Sequence, residues 1–191
     1  GVQTCALPIC FAVTLIRNGS FDDMRRSLIA FGREAAGADM ATVYFAGHGM
    51  EINGDNWLIP VDAELKRDTD AANEAISLQS VMLQVSSTGS LGLVILDACR
   101  NNPFATKMSR SIATRAAATS GLGRIEPVGN VLVAYAARDG TTALDGDGRN
   151  SPFAAALLRN IEAPGVEVTF MFRNVRDDVM EATRNEQQPF V

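Results

Sequence analysis

The sequence is poor in the residues that most often carry chemistry. Its 191 residues include one His, one Trp, two Tyr and three Cys. Any imidazole catalysis or histidine metal ligation must therefore use His48 or do without. Cys5, Cys10 and Cys99 are odd in number and unevenly spaced, which argues against a disulfide framework. No apolar run reaches the roughly 18 residues of a transmembrane helix. Positive charge is also scarce. Seventeen Lys and Arg face 22 Asp and Glu, a net charge of −5, and the pI is near 4.9. That balance, with a single Trp, makes nucleic acid a poor partner. What is abundant is apolar material: 47% of residues are hydrophobic and 20% charged. This excludes a disordered tail, a collagen-like chain and a disulfide mini-protein, and suffices for one domain with a core.

The first nine residues stand apart. The chain opens without Met, and Gly1 to Ile9 resembles the translation of a sequencing-adapter oligonucleotide. We therefore set 1–9 aside as a sequence-assembly scar and treat 10–191 as a single domain. Both ends read as open, so signal peptides, further domains and compartment (bacterial cytoplasm or periplasm) stay undetermined.

From Phe11 onward, apolar runs alternate with helical periods. Phe11 to Ile16 reads as a buried strand. Ser20 reads as the N-cap of a helix to about Ala36, with Asp22 and Asp23 in its first turn and Phe21, Met24, Leu28 and Phe31 on one face. Ala41 to Ala46 is a second buried strand ending at Gly47-His48-Gly49, and Trp57 to Val61 a short strand or hairpin arm. Leu65 to Glu74 reads as a polar loop. Leu78, Val81, Met82 and Val85 mark another helix, and Leu91 to Leu96 a strand ending at Asp97-Ala98-Cys99. Residues from about 105 to 127 lack an apolar period and read as a long linker. Val131 to Ala136 resumes as a strand, and Arg138 to Asn150 is a Gly/Asp/Thr-rich loop. Helices follow from Pro152 to about Ile161, capped by Ser151, and from Val168 to Thr183. Continuous apolar strands alternating with helices predict an α/β fold: a mostly parallel sheet covered on both faces.

Ligands of such sheets bind at the carboxyl ends of strands. Two strands end there in reactive residues, His48 between glycines and Cys99 between Ala98 and Arg100. A thiolate is a nucleophile, and an imidazole can take its proton or protonate a leaving amine. Glycines beside His48 leave the backbone clear of side chains, so the Gly49 N–H could face a developing oxyanion. On spacing alone, a buried structural cysteine and a turn-capping histidine explain the same residues.

The surrounding strings are more specific. Y-F-A-G-H-G (44–49), G-D-N-W-L-I-P-V-D (54–62) and L-V-I-L-D-A-C-R-N-N-P-F (93–104) resemble caspase-like cysteine peptidases of the C14 type, in particular the bacterial relatives of metacaspases. V-A-Y-A-A-R-D-G (133–140) and N-S-P-F-A-A-A-L (150–157) resemble the next strand, substrate loop and helix. A His about 50 residues before the Cys is the caspase arrangement.

The resemblance implies a caspase-like three-layer α/β sandwich and peptide-bond hydrolysis through an acyl-enzyme. Cys99 matches the nucleophile and His48 the general acid/base, with the backbone N–H groups of Gly49 and Cys99 as oxyanion donors. Asp97 stands where caspases that cleave after Asp have Gln and where metacaspases, which cleave after Arg or Lys, have Asp. A carboxylate there can hold a guanidinium bidentately. Asp139 falls near a second acidic specificity position, more loosely aligned. The bland alternatives are a cap for Asp97 and a turn for Asp139.

The linker between large- and small-subunit-like parts carries Arg110, Arg115 and Arg124 as candidate self-cleavage sites, against the plainer reading of a solvated connection. No cofactor or metal is expected. Some metacaspases need calcium, but Asp145-Gly146-Asp147-Gly148 lacks the spacing of a calcium loop. Trp57 is expected at the core edge rather than on a ligand. The expected partners are protein or peptide substrates, with no nucleic acid and no membrane span. The alternative function is a catalytically idle caspase-like interaction module. The resemblance also places a strand before Phe11 inside the sheet. This chain is expected to lack it and so to aggregate through unpaired edges.

Overall fold

A computed structural model describes the chain except residues 1–3, 7–8, 100–118, 121, 124, 126, 128, 139–142 and 147. The central sheet runs, edge to edge, β5 (Ile76–Ser77), β4 (Asp55–Ile59), β3 (Met40–Ile52), β6 (Leu91–Cys99) and β8 (Val131–Tyr135), with β7 (Thr119–Ser120) attached to β3. Its spine is three parallel strands, β3, β6 and β8. β4 and β5 extend it in antiparallel fashion, and β7 pairs antiparallel with Met50 and Glu51.

Alternation along β6 sorts the core into two layers. Val94, Leu96 and Ala98 join Leu78, Val81, Met82 and Val85 of α3 (Leu78–Val85) on one face, where Phe21, Met24, Leu28 and Phe31 of α1 (Phe21–Ala35) also pack. Leu93 and Ile95 join Phe153, Ala156 and Leu157 of α4 (Pro152–Asn160) and Met171, Phe172, Val175 and Val179 of α5 (Val168–Ala182) on the other. Each fully buried aliphatic side chain contributes about 1.5–3 kcal/mol. A third cluster, around Met50, Ile59 and Leu65, takes Trp57 against its edge. Gly92 allows α3 to close on β6: a Cβ there would lie 2.5 Å from the Val85 carbonyl oxygen.

The predicted helices and caps hold. Ser20 accepts from the Asp23 N–H while the Asp23 carboxylate accepts from the Ser20 N–H, a reciprocal capping box. The Ser151 and Ser77 hydroxyls cap α4 and α3. The 65–74 segment differs from the polar loop expected. It forms a 3-10 turn at Asp68–Asp70 and the short α2 (Ala71–Glu74), anchored by the buried Leu65 and Ala71. The Glu74 carboxylate, accepting from the Glu64 and Leu65 N–H groups, closes the loop onto that helix.

The larger correction concerns Phe11 to Ile16. Only Phe11 belongs to a strand, β2 (Ile9–Phe11), which pairs antiparallel with β1 (Thr4–Ala6) in a separate two-stranded sheet. Residues 12–16 belong to no strand, and Leu15 is 70% exposed. Thr14, Leu15 and Ile16 face Thr42 to His48 of β3 across a cavity of about 430 Å³ floored by α1 side chains. Apolar composition suited this segment to a buried strand, but a strand needs a hydrogen-bonding neighbour within about 4.8 Å. Across that cavity there is none.

β3 changes partners along its length. Met40 to His48 pair with β6, Leu91 to Cys99. From His48 onward the opposite edge pairs with β4, beginning at His48↔Ile59 and ending at Ile52↔Asp55. Asn53 and Gly54 close that hairpin with φ of 58° and 87°, the two positive values of a type I′ turn. Among the described residues, no strand pairs with the β4-side edge of β3 over Met40 to Gly47.

Candidate active site

The two sequence candidates for catalysis meet in the ladder. His48 and Cys99 are register partners on the parallel strands β3 and β6, about 4.8 Å apart by strand spacing. The pair is the last of that ladder, at the carboxyl end of β6. His48 is exposed and Gly49 is buried. A Cβ on Gly49 would come within 2.7 Å of the Leu122 side chain, so any larger residue there would have to displace Leu122. Leu122 is held in place through Gly123, whose N–H donates to Asn56 Oδ1 (2.6 Å) and whose carbonyl accepts from Asn56 Nδ2 (2.9 Å). The Cys99 side chain lies outside the described residues, as do Asp139, Arg110, Arg115 and Arg124.

Asp97 is placed in full. Its register partner is Ala46. With Leu93 and Ile95 it belongs to the α4/α5 face of β6, and the pleat puts Tyr44, Ala46 and His48 on the same face of β3. The covering helices stop short of these last residues and leave a cavity of about 470 Å³. It is lined by Tyr44, Ala46, His48, Asp97, Asp145 and Ser151, with Arg149 at its side. Two hydroxyls donate to one oxygen of Asp97: Tyr44 Oη to Oδ2 at 2.9 Å and Ser151 Oγ to Oδ2 at 2.5 Å. Ser151 also accepts from the Ala154 N–H as the cap of α4, so a single hydroxyl joins the helix to the carboxylate.

Burial raises the Asp97 pKa above the ordinary carboxylate value, the hydrogen bonds from Ser151 and Tyr44 oppose this, and the nearby Asp145 charge adds to the rise. Burial also raises the Tyr44 phenol, and the Asp97 charge reinforces the shift. Tyr44 therefore stays a neutral donor at physiological pH.

Sequence reasoning missed Tyr44 and Asp145 as neighbours of Asp97 and saw Ser151 only as a cap. Asp145 is brought to the cavity by the loop after β8. Gln187, fully buried, accepts from the Leu144 N–H (3.0 Å) and donates to the Ala136 carbonyl (2.9 Å), tying that loop to the end of β8. Among the described residues, no group of three or more His, Cys, Asp or Glu side chains is placed to hold a metal. No described helix is long and apolar enough to cross a membrane.

The ladder thus brings His48, within β3, beside Cys99 at the carboxyl end of β6, next to a cavity that holds the Asp97 carboxylate. The caspase domain family (peptidase C14) matches residues 5–191, and the chain belongs to that family. Caspase-1 from Spodoptera frugiperda superposes with a TM-score of 0.56 at 13% identity, over 94% of this chain and 70% of that one. Protein GSU0716 from Geobacter sulfurreducens superposes with a TM-score of 0.53 at 14% identity, over 87% of this chain and 71% of that one. These likenesses establish the caspase-like fold. No curated protein matches the chain.

Proposed function

We propose that the chain is a cysteine endopeptidase of the metacaspase type that cleaves after Arg or Lys through a Cys99–His48 dyad. The observation that carries this is the His48↔Cys99 register pair closing the β3–β6 ladder. In the proposed reaction the Cys99 thiol gives its proton to His48 and the thiolate attacks the scissile carbonyl carbon. The tetrahedral oxyanion is met by the backbone N–H groups of Gly49 and Cys99. The C–N bond then breaks, His48 protonates the leaving amine, and a thioester remains on Cys99. Water, deprotonated by His48, attacks the thioester and releases the acid and the thiol. Asp97, in the adjoining cavity, receives the cationic side chain before the scissile bond. Asp139 is retained as a second specificity residue. Arg110, Arg115 and Arg124 are retained as self-cleavage sites, detectable as new fragments by intact mass only when Cys99 is present.

The test is hydrolysis of fluorogenic peptides ending in Arg, Lys or Asp. Cleavage after Arg or Lys is expected, with kcat/KM reduced about 10³-fold or more in Cys99→Ala and in His48→Ala. Preference for Asp would overturn the role of Asp97. Absence of Cys99-dependent cleavage would instead favour an interaction module built on the same fold.

A further inference from the structure

We propose that Tyr44 and Ser151 are positioning residues for the Asp97 carboxylate: both hydroxyls anchor Oδ2, which leaves Oδ1 to take the cationic side chain of the substrate. The inference rests on the reading of Asp97 as the specificity residue and adds how its charge and orientation are maintained. The two donors come from unrelated elements, Tyr44 from β3 and Ser151 from the cap of α4. Yet both converge on the same oxygen, at 2.9 and 2.5 Å. Among the described residues no hydrogen bond reaches Oδ1. A carboxylate held by one oxygen keeps a fixed plane, and the second oxygen can accept N–H donors without reorganising.

The same hydroxyls also control when the carboxylate is charged. The groups facing Asp97 are Tyr44 and His48 from β3, Asp145 and Arg149 from the loop before α4, and Ser151 at the helix start. Burial and Asp145 favour the protonated acid, and the Ser151 and Tyr44 hydrogen bonds favour the anion. Removing either hydroxyl leaves the first pair less opposed. The carboxylate then holds its proton to a higher pH, and cation binding is lost at a higher pH than in the parent protein. Tyr44 and Ser151 thereby widen the pH range over which the cavity accepts a basic residue.

The experiment uses the full chain carrying Cys99→Ala, so that turnover plays no part. Binding of Nα-acetyl-arginine amide is measured by calorimetry from pH 5 to 8, and the Asp97 carboxyl is titrated by ¹³C NMR. Asp97→Asn is expected to weaken binding by about tenfold or more, the scale of a charge-assisted hydrogen bond. Tyr44→Phe and Ser151→Ala are expected to move both the NMR midpoint and the acid limb of binding to higher pH. Ser151→Thr, which keeps the hydroxyl and the cap, should retain the parental profile. A merely structural contribution of Ser151 to α4 would leave the NMR midpoint in place. Unmoved midpoints in both Tyr44→Phe and Ser151→Ala would overturn the positioning role. Midpoints that move in a protein that does not bind the arginine amide would instead uphold the positioning and remove the assignment of Asp97 to the substrate.

Discussion

The two edges of the first half of β3 differ as much as any two regions of the molecule. Toward β6, every residue from Met40 to His48 has a partner. Toward the other side, Thr42 to Gly47 line a cavity shared with Thr14, Leu15 and Ile16 of the unladdered segment. The consequences show in burial. Val94 and Ile95 of β6 are 0% and 2% exposed, whereas their register partners Val43 and Tyr44 are half-buried and exposed. Apolar composition is similar on both strands, so what separates them is whether a neighbour lies within hydrogen-bonding distance. Composition makes a segment fit for burial, but it does not supply the second surface.

The strongest way to break this comparison is to empty a side chain on each side of it. Phe153, fully buried between α4 and the β6–β8 half of the sheet, should cost about 3–5 kcal/mol when changed to Ala. Leu15→Ala, on the open side, should stay within about 0.5 kcal/mol. Urea unfolding of the two variants measures both, and equal losses would mean that the open side is as tightly packed as the closed one.

A smaller effect is expected at the hairpin that ends the open edge. Asn53 holds φ at 58°, where Ala lacks the local hydrogen bonding that lets Asn tolerate the left-handed region. Asn53→Ala should destabilise by about 1 kcal/mol, while Asn53→Gly should be neutral or stabilising. If both behave alike in thermal melts, the turn is not what fixes the β3–β4 register.

The smallest effect sharpens the comparison at its upper end, where β3 and β6 carry the site. The folded-state pKa of Asp97 is raised, chiefly by burial. The native state therefore binds the proton more tightly than the unfolded chain. The associated stability is present below the ordinary carboxylate pKa and is lost as pH rises through the raised value. Asp97→Asn should accordingly raise Tm at pH 7, and the gain should shrink as the pH is lowered toward 4. A gain independent of pH would point to packing rather than to the buried charge.

Much of the fold could be read directly from the chain. The caps at Ser20 and Ser151, the apolar faces of α3 and α5 and the apolar run of β6 are local patterns, each complete within about a dozen residues. The pairing of His48 with Cys99 was legible because both end apolar runs that belong in one parallel sheet. Phe11 to Ile16 was misread because its fate depends on a neighbour some 30 residues away. Tyr44 and Asp145 were invisible as partners of Asp97 for a related reason. Tyr44 reaches it only because the β3–β6 register aligns Ala46 with Asp97, and Asp145 only because Gln187, some 40 residues further on, fixes the intervening loop. No spacing rule contains either fact.

The exchange of partners at His48 has a consequence for tolerance to insertion and deletion. Two independently set registers, the long ladder to β6 and the tight hairpin to β4, must agree at this one residue. Adding or removing a single residue between Met40 and Ile52 would satisfy one register only by breaking the other. A one-residue slip also turns every following side chain to the opposite face of the sheet. His48 would then point toward the α1/α3 layer, away from Asp97. A length change in the 86–90 connection before β6 alters neither register. For this strand, reading frame in space is as binding as reading frame in the gene: its length is part of the site.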